Sequence, residues 1–191
     1  MDKRDFFIVG KTIVLRAINR NDVTNTNWYG WFNNEETTKN LQKHYFPNSL
    51  EKQMQFYESL INDNSKLQLM IIDKENPELV LGIVSVQKID FINSNADISL
   101  VIGEEEARDL KCAHEVMGLI IKHSFETLNL HKITLGYKET LKFWGIFLMK
   151  RFGFEQEGEL KEQMYKDGKY HNIILLGLTR EKSIKHKNLK S

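Results

Sequence analysis

Between Arg108 and Leu128 the apolar residues Ala113, Val116, Met117, Ile120, Ile121, Phe125 and Leu128 recur at i, i+3, i+4 spacing. That spacing places them on one face of a long helix, with His114, Glu115, Lys122 and Glu126 largely off the stripe. β-Branched runs flank it: ADISLVIG, from Ala96 to Gly103, and HKITLGY, from His131 to Tyr137. A strand, a long amphipathic helix and a second strand predict one right-handed crossover at the centre of the fold.

The rest of the chain must fit around that unit. TIVLRAI, from Thr12 to Ile18, reads as a strand. The polar stretch after it carries Trp28, Trp31, Phe32 and Leu41 and predicts one or two short helices with a loop. In FPNSLEKQMQFYESLI, Asn48 with Glu51 three residues on looks like a capping box, and Leu50, Met54, Tyr57 and Ile61 recur at helical spacing. LQLMIID and LVLGIVSVQKID, punctuated by Pro77, form a hairpin that leads into ADISLVIG. After the crossover, ETLKFWGIFLMKRFGF predicts a helix ending near Phe152 with Gly153 as its cap. A long hairpin turning at Asp167-Gly168 closes the order. The class is α+β. Nothing marks a boundary, so residues 1–180 are expected to be one domain and the basic 181–191 segment a disordered tail.

Composition narrows the partners. A net charge of +1 over 191 residues gives no nucleic-acid signal. No run approaches the roughly 20 apolar residues of a membrane span, so no membrane insertion is expected. The single cysteine, Cys112, cannot form an intrachain disulfide, and a reducing, cytoplasmic setting is expected. His114 and His123 lie nine residues apart, and no metal-ligand spacing is present.

The words that fill this order resemble the GNAT superfamily of acyl-CoA-dependent N-acetyltransferases, and within it the RimJ/RimL-like branch. TIVLRAINRND is similar to that branch's opening, HSFETLNLHKITLG to its helix-to-strand phrase, and KRFGFEQEGELKEQMYKDGKYHNIILLGL to its closing hairpin. The likeness runs from about Thr12 to Leu178. It implies a mixed, mostly antiparallel sheet of about seven strands flanked by helices, with a V-shaped acetyl-CoA cleft. Leu100, Val101 and Ile102 would form the central strand's edge. Arg108-Asp109-Leu110-Lys111-Cys112-Ala113 aligns with the pyrophosphate loop R-G-x-G-x-A, followed by His114. There backbone amides and the helix dipole favour an anion. Arg108 and Ala113 match, whereas Asp109 and Lys111 replace both glycines. Lys142 stands where the next helix usually carries Asn, and Met149 where many relatives carry a tyrosine that protonates the leaving thiolate.

The same resemblance implies direct attack by an amine, with Asp97 as candidate base and Ser99 a second candidate two residues along the same strand face. Cys112 is read as a packing residue. Trp28, Trp31, Asn33, His44 and Tyr45 fall where relatives cover the acceptor, and aromatic faces with amide partners suit a sugar or a nucleobase. The stretch LGIVSVQKIDFINSNADISLVIGE resembles relatives that acetylate nucleotide-linked amino sugars, and that resemblance implies such an acceptor. A peptide N-terminus is the alternative within the class, and a degenerate, non-catalytic interaction domain the alternative outside it. A homodimer is admitted.

Overall fold

The computed structural model describes residues 5–42 and 45–188. Eight strands form one sheet in the order β1-β2-β3-β4-β5-β6-β8-β7. They are β1 (Phe6–Val9), β2 (Ile13–Ala17), β3 (Leu67–Asp73), β4 (Val80–Asp90), β5 (Asn95–Ile102), β6 (Lys132–Lys138), β7 (Glu155–Lys166) and β8 (Lys169–Thr179). Among the described residues seven α-helices flank it: α1 (Arg20–Asn25), α2 (Trp28–Trp31), α3 (Glu35–Thr38), α4 (Leu50–Ile61), α5 (Leu110–Glu126), α6 (Lys142–Phe152) and α7 (Arg180–Asn188). The predicted α+β class, mixed sheet and β5–α5–β6 crossover are all present. The eighth strand is β1, whose FFIV run pairs antiparallel with β2.

Both faces of the sheet are covered, so β2 to β4 read as nearly continuous apolar runs. Ile13, Leu15, Leu69 and Ile71 point to one core with the α5 stripe, where Val116, Met117, Ile120 and Ile121 are buried. Val14, Met70, Ile72 and Ile83 point the other way, to Trp28 and Trp31. The β7–β8 turn has φ +53 at Asp167 and +78 at Gly168, the left-handed pair that a two-residue hairpin needs. Gly153 caps α6 at φ +84, as its sequence predicts.

Three expectations change. The cap of α4 is Ser49, whose side chain accepts from the Lys52 amide; Asn48 instead bonds the Gln53 side chain and Asn33. The face of α4 turned to the core is Met54, Tyr57 and Leu60 with buried Gln53, while Leu50 and Ile61 are exposed. The C-terminal segment, expected to be a disordered tail, is helical over Arg180–Asn188, and residues 189–191 lie outside the described residues. Arg180 bonds the Leu130 carbonyl and Asn129, Ser183 is buried, and the His186 ring shares a hydrogen bond with the Lys150 carbonyl. These are polar and small-residue anchors, which leave no apolar stripe in the sequence.

Arg16 and Asp22, both 4 % exposed at the side chain, form a two-pronged pair of 2.7 and 2.5 Å that ties β2 to α1. Asp22 also accepts from the Asn19 amide in a capping box. A buried pair broken on one side leaves the other charge uncompensated. Asp22→Asn is expected to cost about 3–5 kcal/mol in urea denaturation. The double replacement Arg16→Met with Asp22→Leu should recover most of that loss.

Candidate active site

Strands β5 and β6 run parallel but share register only over Asn95–Asp97 against Lys132–Thr134. Beyond Asp97 they part, and the β6-facing peptide groups of β5 open into a cleft of about 890 Å³. Ser99, Leu100, Val101 and Ile102 line one wall, with Leu135, Gly136 and Tyr137 on the other. Leu110, Met117, Leu141, Phe143 and Trp144 add an apolar side from α5 and α6. This is the V-shaped opening the sequence implies, and the unpaired β5 edge and apolar side suit a thioester carrying a long pantetheine arm.

Asp97 sits where the strands separate. It accepts a hydrogen bond from the Thr134 hydroxyl and another, at 2.7 Å, from Lys88 Nζ. Lys88 comes from β4, where a register shift between Gln87 and Asp90 and a φ of +53 swing it out of the pleat. Three further carboxylates face the cleft: Glu36, 2.6 Å from Lys39 Nζ, Glu157, 2.7 Å from Lys132 Nζ, and Asp109 at the head of α5. The Lys39 ammonium, by hydrogen bond and charge, holds the Glu36 carboxyl below its ordinary range. Burial pushes the Tyr137 phenol up, so it stays protonated at neutral pH.

At the head of α5 Asp109 is the N-cap, and its carboxylate accepts from the Cys112 amide at 2.7 Å. The Ala113 amide bonds the Asp109 carbonyl. The amides of Leu110 and Lys111, first in the helix, have no partner within it. The residues thus fit a pyrophosphate through two amides rather than a full glycine cradle, with the Asp109 charge beside it. The Arg108 guanidinium, also at the cleft, bonds Thr37 Oγ1 and the Gly103 carbonyl at 2.8 and 2.9 Å. Cys112 is half-buried, and burial with the charges of Asp109 and Glu115 raises its thiol to about 11, which fits a packing residue.

Several candidates lie elsewhere. Trp28 and Trp31 are 0 % and 1 % exposed, so they are core and present no face to an acceptor; the Trp31 indole N–H donates to Glu104. Asn33 spends its amide on the Asn48 backbone, in both directions. Tyr45 is exposed, and its hydroxyl donates to the Tyr165 carbonyl of β7, away from the cleft lining. His44 lies outside the described residues. His114 packs on Phe152 of α6, 5.3 Å between rings, and Lys142 is exposed outside the lining, as is the Lys111 side chain, whose residue keeps only its amide at the helix start. What sequence reasoning missed is Glu36, Thr37, Lys39, Lys88, Thr134 and Tyr137, which the fold brings together from three separate segments, α3 with its cap, β4 and β6.

Helix α3 roofs the opening and is held from both lips. Arg108 reaches Thr37 from the β5–α5 junction, and Lys138 Nζ, buried at the end of β6, donates to the Lys39 carbonyl at 3.0 Å.

The fold, the parted parallel strands and the capped helix beside them define an acyl-CoA-dependent transferase architecture. The sequence profile of the acetyltransferase (GNAT) domain matches residues 12–140, and the chain belongs to this family. Its activity class is N-acetyltransferase, with acetyl-CoA as co-substrate. A spermidine N(1)-acetyltransferase of Vibrio cholerae is 25 % identical over 174 residues, covering 89 % of this chain and 94 % of that one. The Escherichia coli K12 enzyme of the same name is 29 % identical over 121 residues, 62 % of this chain and 61 % of that one. The crystal structure of the Vibrio cholerae spermidine N-acetyltransferase with CoA and spermine superposes with a TM-score of 0.81 at 23 % identity, over 91 % of this chain and 98 % of that one. These relatives correct the placement near the RimJ/RimL-like and amino-sugar enzymes.

Asp109→Asn keeps the cap, since Asn caps as well as Asp, and removes one negative charge beside the two free amides. Calorimetric titration should show CoA binding about three- to tenfold tighter than in the parent, the size of one charge at several ångströms in a surface setting. Unchanged or weaker binding would place the pyrophosphate away from this helix start.

Proposed function

We propose that the chain acetylates a primary amine of a small polycation of the polyamine class. One observation carries this reading. Three of the four carboxylates lining the cleft are already paired with a lysine ammonium, Asp97 with Lys88, Glu36 with Lys39 and Glu157 with Lys132, while the fourth, Asp109, caps α5. The ends of a polyamine are the same alkylammonium group, spaced along an apolar chain. The names of the spermidine-acetylating relatives support the same acceptor. The amino-sugar reading loses its support because its aromatic residues Trp28 and Trp31 are core. A peptide groove between the Trp28–Tyr45 segment and the closing hairpin is bridged by the Tyr45–Tyr165 hydrogen bond.

Within this reading Asp97, oriented by Thr134, takes a proton from the acceptor ammonium and leaves a neutral amine to attack the thioester carbonyl. The unpaired amides of the β5 edge polarise that carbonyl. The Tyr137 phenol returns a proton to the departing thiolate, the task Met149 cannot perform. Ser99 lines the cleft beside them.

Release of free thiol from acetyl-CoA should be supported by spermidine and spermine, and far less by UDP- and dTDP-linked amino sugars or by peptides with free N-termini. Turnover confined to either of the latter pools would replace the polyamine reading. Asp97→Asn should lower kcat with spermidine by roughly 100-fold, at the low end of general-base contributions, with little change in KM for acetyl-CoA. An equal loss of thermal stability, with kcat kept, would assign Asp97 to structure alone.

A further inference from the structure

We propose that Lys88 is itself an acceptor, so that the protein acetylates its own Lys88 Nζ from acetyl-CoA. The inference rests on acetyl transfer in the β5–β6 cleft and not on the polyamine acceptor. Lys88 Nζ lies 2.7 Å from Asp97, the candidate base, at the point where the two strands part. Both residues line the cleft. The contact is built rather than incidental. Lys88 holds a left-handed φ of +53, an uncommon conformation for a residue with a Cβ, at the register shift that re-aims it from β4 onto β5. Its side chain is otherwise 78 % exposed, so only this carboxylate holds it, and it is free to swing within the opening.

The step balances with acetyl-CoA alone. The Lys88 ammonium gives one proton to Asp97, and the neutral Nζ attacks the thioester carbonyl carbon. The C–N bond forms as the C–S bond breaks, and the second nitrogen proton passes to the sulfur. The products are Nε-acetyl-lysine and CoA thiol, and Asp97 releases its proton to water. Acetylation removes the ammonium from Asp97, which then faces an incoming amine without an internal competitor.

The protein, without added amine, would be incubated with 13C-labelled acetyl-CoA and its peptides followed by mass spectrometry. Lys88 should label at least about tenfold faster than Lys122 and Lys185, exposed lysines that are also paired with carboxylates but lie on α5 and α7. Asp97→Asn, with its fold checked by circular dichroism, should remove the excess, and so should saturating free CoA on the parent protein. Equal labelling of the three lysines, or an excess that survives heat denaturation or free CoA, would overturn the proposal. Lys88 labelling that proceeds while spermidine is neither acetylated nor inhibitory would leave self-acetylation standing and remove the polyamine acceptor.

Discussion

The site exists because two parallel strands stop pairing too early. β5 and β6 share three register pairs, ending at Asp97 and Thr134, although each strand continues for several residues more. Backbone groups beyond that point need partners, since unpaired buried polar groups are costly. An extended ligand lying between the strands can supply them, as a further strand would. The crossover makes this possible, for α5 connects the two strands over one face and leaves its own N-terminus at the mouth of the gap. Asp97 and Thr134 are bonded to each other as the last pair before the strands diverge, which places an acid–base group at the apex of the opening.

Charge is managed locally around that gap. Three cleft carboxylates each have a lysine, and the fourth, Asp109, caps the helix start. The first arrangement suits a cationic ligand, because a flexible lysine can yield its place to another ammonium at little net cost in an exposed setting. The second works against an anionic ligand, because Asp109 both occupies the Cys112 amide and adds a negative charge. On the proposed reading the two ends of the cleft therefore differ: three carboxylates on one side already hold an ammonium, and the helix start on the other keeps two amides without a partner in the helix.

The fold was legible because its signals are local and periodic. The α5 stripe, the Asp167-Gly168 turn and the Gly153 cap each follow from residues within one element. β1 was missed because FFIV is only four residues long and lies beside charged residues. α7 was missed because Arg180, Ser183 and His186 anchor it through polar contacts. The placement of the β5 candidates was legible, for Asp97, Ser99 and Leu100 to Ile102 all line the cleft. It was illegible where partners are distant in sequence: Thr134 is 37 residues from Asp97, and Arg108 is 71 from Thr37. Trp28 and Trp31 misled because i, i+3 aromatics serve a core as readily as a ligand, and only burial separates the two. Asp109 illustrates the opposite case, since its capping role is common chemistry for Asp before an apolar helix.

The roof over the cleft sets a different kind of limit. α3 is one turn long, EETT, and carries no large apolar side chain, yet it is fastened to one lip through Thr37 and to the other through the carbonyl of Lys39. It acts as a tie across a gap that the sheet alone leaves free to spread. Two hydrogen bonds, at Arg108 and at Lys138, thus span the aperture. A lineage could widen or narrow it by exchanging either residue, and so change which amines enter, while every residue that stabilises the fold stays as it is.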